Sequence, residues 1–397
     1  MFEEETQIPF QNLNRQQQRF RLREIAAVFF KLGAIAFGGP AAHIAMMEDE
    51  VVKRRHWLSR ETLLDLLGIT NLIPGPNSTE LAIHLGYERG GWRGLLIAGS
   101  CFILPAMTLV WLLAAIYVRY QTVPQVEGLL YGIKPVIVVI VLQALWKLGR
   151  KAIKNLPTAI AGITVIVAFA LGVNEIWLLL LAGLAIMLWQ NRNRLGIAGM
   201  GVWLLPLAQI NTPSKIASLS NTPNSWTIFL FFLKVGSILY GSGYVLLAFL
   251  QRDLVEKTNW LTSQQLLDAV AIGQLTPGPL FTTATFIGYL LAGNLGAIAA
   301  TIGIFLPAFI FVGVTNPWIP KLRRSSWAAG FLDGVNAASL GLMAVVTYTL
   351  TKTALVDWFT IFLSLLSAIA LFYGRLNSAW LVILGGIMGL AWQWWQF

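Results

Sequence analysis

Pro74-Gly75-Pro76 is followed by Asn77, Ser78 and Thr79, and Pro277-Gly278-Pro279 by Leu280, Phe281, Thr282 and Thr283. Each triplet interrupts an apolar run, so it stops one helix and starts another. A new helix start presents backbone N–H groups at the positive end of a dipole, here beside amide and hydroxyl side chains. Such a place takes anions. In a bilayer, interrupted backbone is tolerated only inside protein or against a wet cavity. Paired interruptions at matching positions of two halves point to a transport binding site. A plain kink is the bland alternative for either break taken alone.

Lys31 and Lys234 occupy equivalent positions inside two further apolar runs. An intramembrane lysine costs about 2.5 to 3.5 kcal/mol on insertion scales. Two converging on one axis would suit a doubly negative ligand; snorkelling to the membrane surface is the structural alternative. Gly38-Gly39-Pro40 and Gly241-Ser242-Gly243 also correspond. Their small residues allow close helix packing or direct approach of backbone to a ligand. His43, Glu80 and His84 belong to the first half only. Glu80 and His84 are four apart and share a helix face, which suits a coupling proton or a salt bridge. Lys134, before Pro135, lies deeper in a span and has no basic counterpart. Asp65 and Asp268 read as caps or as bridges to Lys53, Arg54 or Arg55.

These residues are carried by a duplicated unit. At an offset of 203 positions, Phe29, Lys31, Gly33, Gly38, Trp57, Asp65, Pro74, Gly75, Pro76 and Thr79 fall on identical residues. After one deletion the offset becomes 202, and Gly86, Tyr87, Gly94, Leu104, Pro105 and Ala106 match Gly288, Tyr289, Gly296, Leu306, Pro307 and Ala308. Apolar periodicity places a polar tail at 1–24, repeat one at 25–190, a linker at 191–225 and repeat two at 226–397. In each repeat a first span (25–47; 226–250) precedes the Pro-Gly-Pro element (61–88; 263–290) and a long span (92–118; 294–318). Three further spans follow (128–147, 156–171, 175–190; 328–350, 355–373, 378–396). Each Pro-Gly-Pro arm has about 12 residues, or roughly 18 Å of helix. That length predicts a re-entrant hairpin or, alternatively, one discontinuous crossing. The fold class expected is all-α and polytopic: two inverted repeats with about ten crossings and two broken helices. Lys147, Arg150, Lys151 and Lys154 mark one loop as cytoplasmic and Lys321, Arg323 and Arg324 another, which fits inversion. The arginine-rich N-terminus conflicts with it.

Of the 397 residues, 56% are hydrophobic and 12% charged, against about 25% charged in a soluble domain. The chain is therefore read as embedded in membrane lipid. The net charge of +10 sits in short loops, so nucleic acid is not an expected partner. Cys101 is the only cysteine, which excludes disulfides and cysteine metal sites. No removable signal peptide is expected in the polar N-terminal stretch. No nucleophile triad, metal-ligand cluster or phosphate loop is present, so neither enzyme activity, a metal nor a cofactor is expected.

The segments FGGPAAHIAMMEDEVV, TNLIPGPNSTELAIHLGY and GQLTPGPLFTTATFIGYL resemble the chromate ion transporter family in its long, two-half form. The resemblance implies a multi-pass inner-membrane protein that moves chromate outward, coupled to sulfate or protons. It implies that the family's glycine-rich motif falls on Gly38, Gly39, Pro40 and His43, and its Pro-Gly-Pro motifs on Pro74 to Pro76 and Pro277 to Pro279. Chromate and sulfate are tetrahedral dianions that accept hydrogen bonds and offer none, so a site lined by donors suits either. A negative-inside potential favours expulsion by roughly 2.3 kcal/mol per charge per 100 mV. A sulfate carrier and an anion channel are the competing readings, and a homodimer is left open.

Overall fold

A computed structural model of the chain describes residues 9–121, 123–192, 223–240, 243–315, 325–374 and 376–396. Residues 193–222 of the linker, the basic residues Lys321, Arg323 and Arg324, and the site candidates Gly241 and Ser242 lie outside the described residues. Among the described residues every regular element is helical. Repeat one comprises α1 (Arg15–Ile35), α2 (Gly39–Glu48), α3 (Arg60–Thr70), α4 (Asn77–Tyr120), α5 (Pro124–Ala152), α6 (Leu156–Ala170) and α7 (Glu175–Gln190). Repeat two comprises α8 (Ser225–Ile238), α9 (Leu246–Phe249), α10 (Ser263–Leu275), α11 (Thr283–Thr315), α12 (Ser326–Ala354), α13 (Trp358–Phe372) and α14 (Ser378–Gln396).

The duplication read from identities is repeated in backbone geometry. Asp49–Arg54 and Leu250–Lys257 both continue their helices as π-helix. His56 and Asn259 both take positive φ, at 50° and 53°. Ser59 and Thr262 cap α3 and α10 through their hydroxyls. Asn155 and Asp357 close capping boxes with Thr158 and Thr360. Each such cap satisfies N–H groups that the helix start leaves free.

α4 and α11 are not straight rods. Gly91 and Gly293 take φ of 58° and 60°, and the helix reverses there. Beyond the reversal Gly94 packs on the backbone of Gly86, and Gly296 on that of Gly288, with no room for a Cβ at any of the four. Each repeat therefore has a short arm (77–90; 283–292) folded against a long arm that ends at Tyr120 or Thr315. This matches the Pro-Gly-Pro element and long span read from the sequence.

The first span differs from expectation. It is broken at Ala36–Gly38 in repeat one, where α1 ends and α2 begins with Pro40 in its first turn. The equivalent span breaks after Ile238. Gly38 and Gly39 at φ of 105° and 79° hold a turn that a side chain would strain. A start signal, Pro at the first helical turn, was present at Pro40.

Packing joins the repeats crosswise. α1 lies on α4 and α8 on α11, within each repeat; α4 also meets α11, and α5 meets α12. α6 and α7 pack on α12, whereas α13 and α14 pack on α5. The exchange obeys a two-fold relation, as in an isologous interface. Gly334 admits the backbone of Ala182 and Gly183, and Gly132 that of Gly385. Arg252 reinforces the junction by donating to the carbonyls of Gly172 and Val173 and pairing with buried Glu175 at 3.3 Å.

By length and composition, four stretches among the described residues suffice to cross a membrane: Asn77–Tyr120, Pro124–Ala152, Leu280–Thr315 and Ser326–Ala354. Leu156–Ala170, Glu175–Gln190, Ser225–Ile238 and Trp358–Phe372 are apolar but shorter. Ile160, Ile163 and Val167 on α6, and Ile361, Leu365 and Ile369 on α13, are exposed at helical spacing. An outward apolar stripe of this kind faces lipid.

Candidate oxyanion site at the crossed helix breaks

The four helix breaks meet at the centre of the fold through two backbone hydrogen bonds. The N–H of Gly75 donates to the carbonyl of Leu239 at 2.8 Å, and the N–H of Gly278 to the carbonyl of Ala36 at 2.8 Å. Each bond runs from the Pro-Gly-Pro break of one repeat to the first-span break of the other. Pro74 to Pro76 and Pro277 to Pro279 are all buried. The Cα of Gly75 lies against Ala308 and that of Gly278 against Ala106. These alanines follow Pro307 and Pro105 in the opposite long arm, so the crossing is reciprocal in side chains too.

Chain direction at the breaks puts helix starts together. Pro76 is the N-cap of α4 and offers no side-chain cap; Asn77 is already the first helical residue. Asn77, Ser78 and Thr79 therefore do not cap α4; the second proline holds the N-cap at φ of −80° in extended backbone. Asn77 instead donates from Nδ2 to Oδ1 of Asn71 at 2.7 Å, bridging the break. Ser78 contacts Nδ1 of His43 at 3.3 Å, and Nε2 of His43 contacts the carbonyl of Ala36 at 3.0 Å. That carbonyl is the acceptor of Gly278, so a polar chain links Ser78, His43, Ala36 and Gly278.

Repeat two is simpler. Thr282 donates to the carbonyl of Pro279 at 2.9 Å and Thr283 to that of Leu280 at 2.8 Å. Both hydroxyls are buried and turned onto their own backbone. In repeat one the hydroxyl of Thr79 and both carboxylate oxygens of Glu80 are buried with no hydrogen-bond partner. The Glu80 carboxylate packs directly on Gly75, and Tyr240 is within reach of its charge. His84, one turn on, is also fully buried.

The lysines are placed differently from the dianion reading. Lys31 pairs with Glu50 at 2.5 Å and Lys234 with Asp253 at 2.9 Å, each inside its own repeat and each about half exposed. The pairing tethers α1 and α8 to the π-helical turns. Lys134 pairs with Asp268 at 3.0 Å, and Tyr117 donates to the same carboxylate at 2.9 Å. Asp268 is therefore neither a cap nor a bridge to Lys53, Arg54 or Arg55; Lys134 reaches it from the other repeat. Gly38 is exposed and Gly39 half-buried beside the crossing. Among the described residues no group of three metal-ligating side chains occurs.

Both repeats, each with its break, correspond to one known family. The model of that family, described as chromate transporter, matches residues 23–187 and again 226–390. The chain belongs to the chromate transporter family. It is 30% identical to the chromate transport protein of Cupriavidus metallidurans over 386 residues, covering 94% of this chain and 93% of that one. It is 31% identical to the probable chromate transport protein of Synechococcus elongatus over 360 residues, 88% and 90% of the two chains. The chromate transport protein of Pseudomonas aeruginosa is 29% identical over 385 residues, 92% and 91%. No solved structure matches. The family member described here is a multi-pass helical membrane transporter.

The carbonyls of Ala36 and Leu239, the partner alanines Ala106 and Ala308, and Tyr240 were not singled out from the sequence. The repeat alignment did contain the two alanines, in Leu104-Pro105-Ala106 and Leu306-Pro307-Ala308. Their matching Pro-Ala steps were the available signal.

Proposed function

We propose that this chromate transporter family member exports chromate across the inner membrane as a secondary carrier, with two inverted repeats alternating access to the crossed breaks. The observation that carries the reading is the reciprocal pair of backbone bonds, Gly75 to Leu239 and Gly278 to Ala36. These two bonds can break when the repeats shift, freeing the N–H groups of Gly75 and Gly278 just ahead of α4 and α11. Those donors, with the hydroxyls of Ser78 and Thr79, suit a tetrahedral dianion that only accepts. Alternating access in repeat-built carriers proceeds by one such unit rocking on the other. Coupling to sulfate or to protons completes the cycle.

The test is chromate flux in sealed proteoliposomes, with imposed sulfate and pH gradients varied separately. The expected result is saturable flux with counterflow, stimulated by one of the two gradients. Flux that neither saturates nor shows counterflow would make the protein a channel. Flux of sulfate alone would make it a sulfate carrier.

A further inference from the structure

The geometry points to Glu80 as the residue that takes up one proton whenever the oxyanion occupies the crossed breaks. The assignment rests on the oxyanion-carrier reading and specifies its coupling ion. Glu80 lies in the first turn of α4, fully buried, and neither carboxylate oxygen has a hydrogen-bond partner. Its carboxyl rests on Gly75, the residue whose N–H closes the crossing onto Leu239. An anion bound at the opened break would therefore sit against this carboxyl.

A lone carboxylate sealed from water is far costlier than the neutral acid. The closed arrangement described here accommodates the acid. When the breaks part and water arrives, the same group can ionise. A dianion entering beside an ionised Glu80 meets like charge; beside the protonated acid it meets a hydrogen-bond donor. The proton comes from water, goes to a carboxylate oxygen and leaves the same way. No other bond changes.

The surroundings leave the assignment to Glu80. Of the titratable neighbours, Tyr240 faces it from the end of α8, His84 stands one turn along α4, and His43 on α2 touches Ser78 and the Ala36 carbonyl. From α11 the neighbour is Ala308, which cannot titrate. In repeat two the position of Glu80 is held by Thr283, whose hydroxyl is already bonded to Leu280. The two-fold relation is thus broken at the acid that rests on the crossing, which predicts one proton per anion.

The experiment is equilibrium binding of sulfate to the purified full-length chain at a series of pH values, with chromate titrated in parallel. Sulfate stays a dianion throughout the acid and neutral range, so any slope belongs to the protein. Wild-type affinity should fall by about tenfold per pH unit on the alkaline limb, as one linked proton requires. E80Q, the neutral isostere, should stay folded, bind and lose the slope; H43Q and H84Q should keep it. A slope that survives in E80Q, moves to either histidine variant or is absent from wild type overturns the assignment. So does an E80Q protein that cannot fold, because a neutral side chain is what the site should accept. No binding of either anion by any variant, wild type included, would instead remove the oxyanion reading itself.

Discussion

Lys134 on α5 and Asp268 on α10 form an ion pair of 3.0 Å that ties the first repeat to the second. The equivalent positions carry Asn336 and Asp65, so this tie occurs once while most of the junction occurs twice. Both side chains are nearly sealed from solvent. Removing one partner leaves the other charge buried alone, which costs roughly 3–5 kcal/mol. Lys134→Ala should accordingly lower the unfolding temperature of the detergent-purified protein sharply. Lys134→Met with Asp268→Leu should recover most of the loss. Equal stability of the single variant and wild type would show that water reaches the pair.

The crossing glycines admit no side chain. A Cβ at Gly75 would overlap the Glu80 carboxyl and one at Gly278 would overlap Ala106, and both residues have positive φ. Strain of about 1–3 kcal/mol is expected from backbone conformation alone. Gly75→Val and Gly278→Val should each abolish chromate flux in proteoliposomes while the protein still inserts. Flux at the wild-type rate in either variant would make that break an ordinary loop.

Lys31 and Lys234 should behave as members of ion pairs. Lys31→Ala is expected to lower flux with a stability loss of about 1 kcal/mol or less, because the lysine is half exposed. Glu50→Ala should cost more, because it also unpairs Arg54 and Arg55. Lys31→Arg should keep flux. If Lys31 instead bound the dianion, Glu50→Ala would raise affinity.

The reversal between short and long arms depends on glycine contacts. Gly94 and Gly296 face the backbones of Gly86 and Gly288 with no space for a side chain. Gly94→Val or Gly296→Val should force the arms apart and abolish folded protein in a size-exclusion profile. Gly91→Ala meets only Phe10 at 3.9 Å, so its penalty is the left-handed backbone alone, about 1–2 kcal/mol. Folded protein is expected to survive that change.

What the sequence made legible followed from its duplication. Identical residues at a fixed offset located both Pro-Gly-Pro breaks, and equivalence of Lys31 with Lys234 returned as equivalent ion pairs. The segment starts read at 61 and 156 lie within one residue of the helices at Arg60 and Leu156, whereas the span read from 128 begins at Pro124. Pairing between repeats was not readable. Lys134 and Asp268 are far apart in sequence, and no local pattern says which charge meets which. Glu80 and His84 share a face by spacing, but spacing does not say that Gly75, folded back from the break, covers that carboxyl. The break at Gly38-Gly39-Pro40 was passed over because an apolar run continues on both sides of it, and hydropathy does not register a turn.

The crossed breaks are expected to open to water and to hold a tetrahedral dianion. Cys101 is the single native thiol, so Asn77→Cys in a Cys101→Ser background isolates one reporter in the first turn of α4. The decisive measurement is its reaction with a membrane-impermeant thiol reagent applied to either face of oriented vesicles, with and without sulfate. Labelling that sulfate slows is the expected result. A reporter that never reacts from either side, or that reacts at a rate indifferent to sulfate, would contradict it.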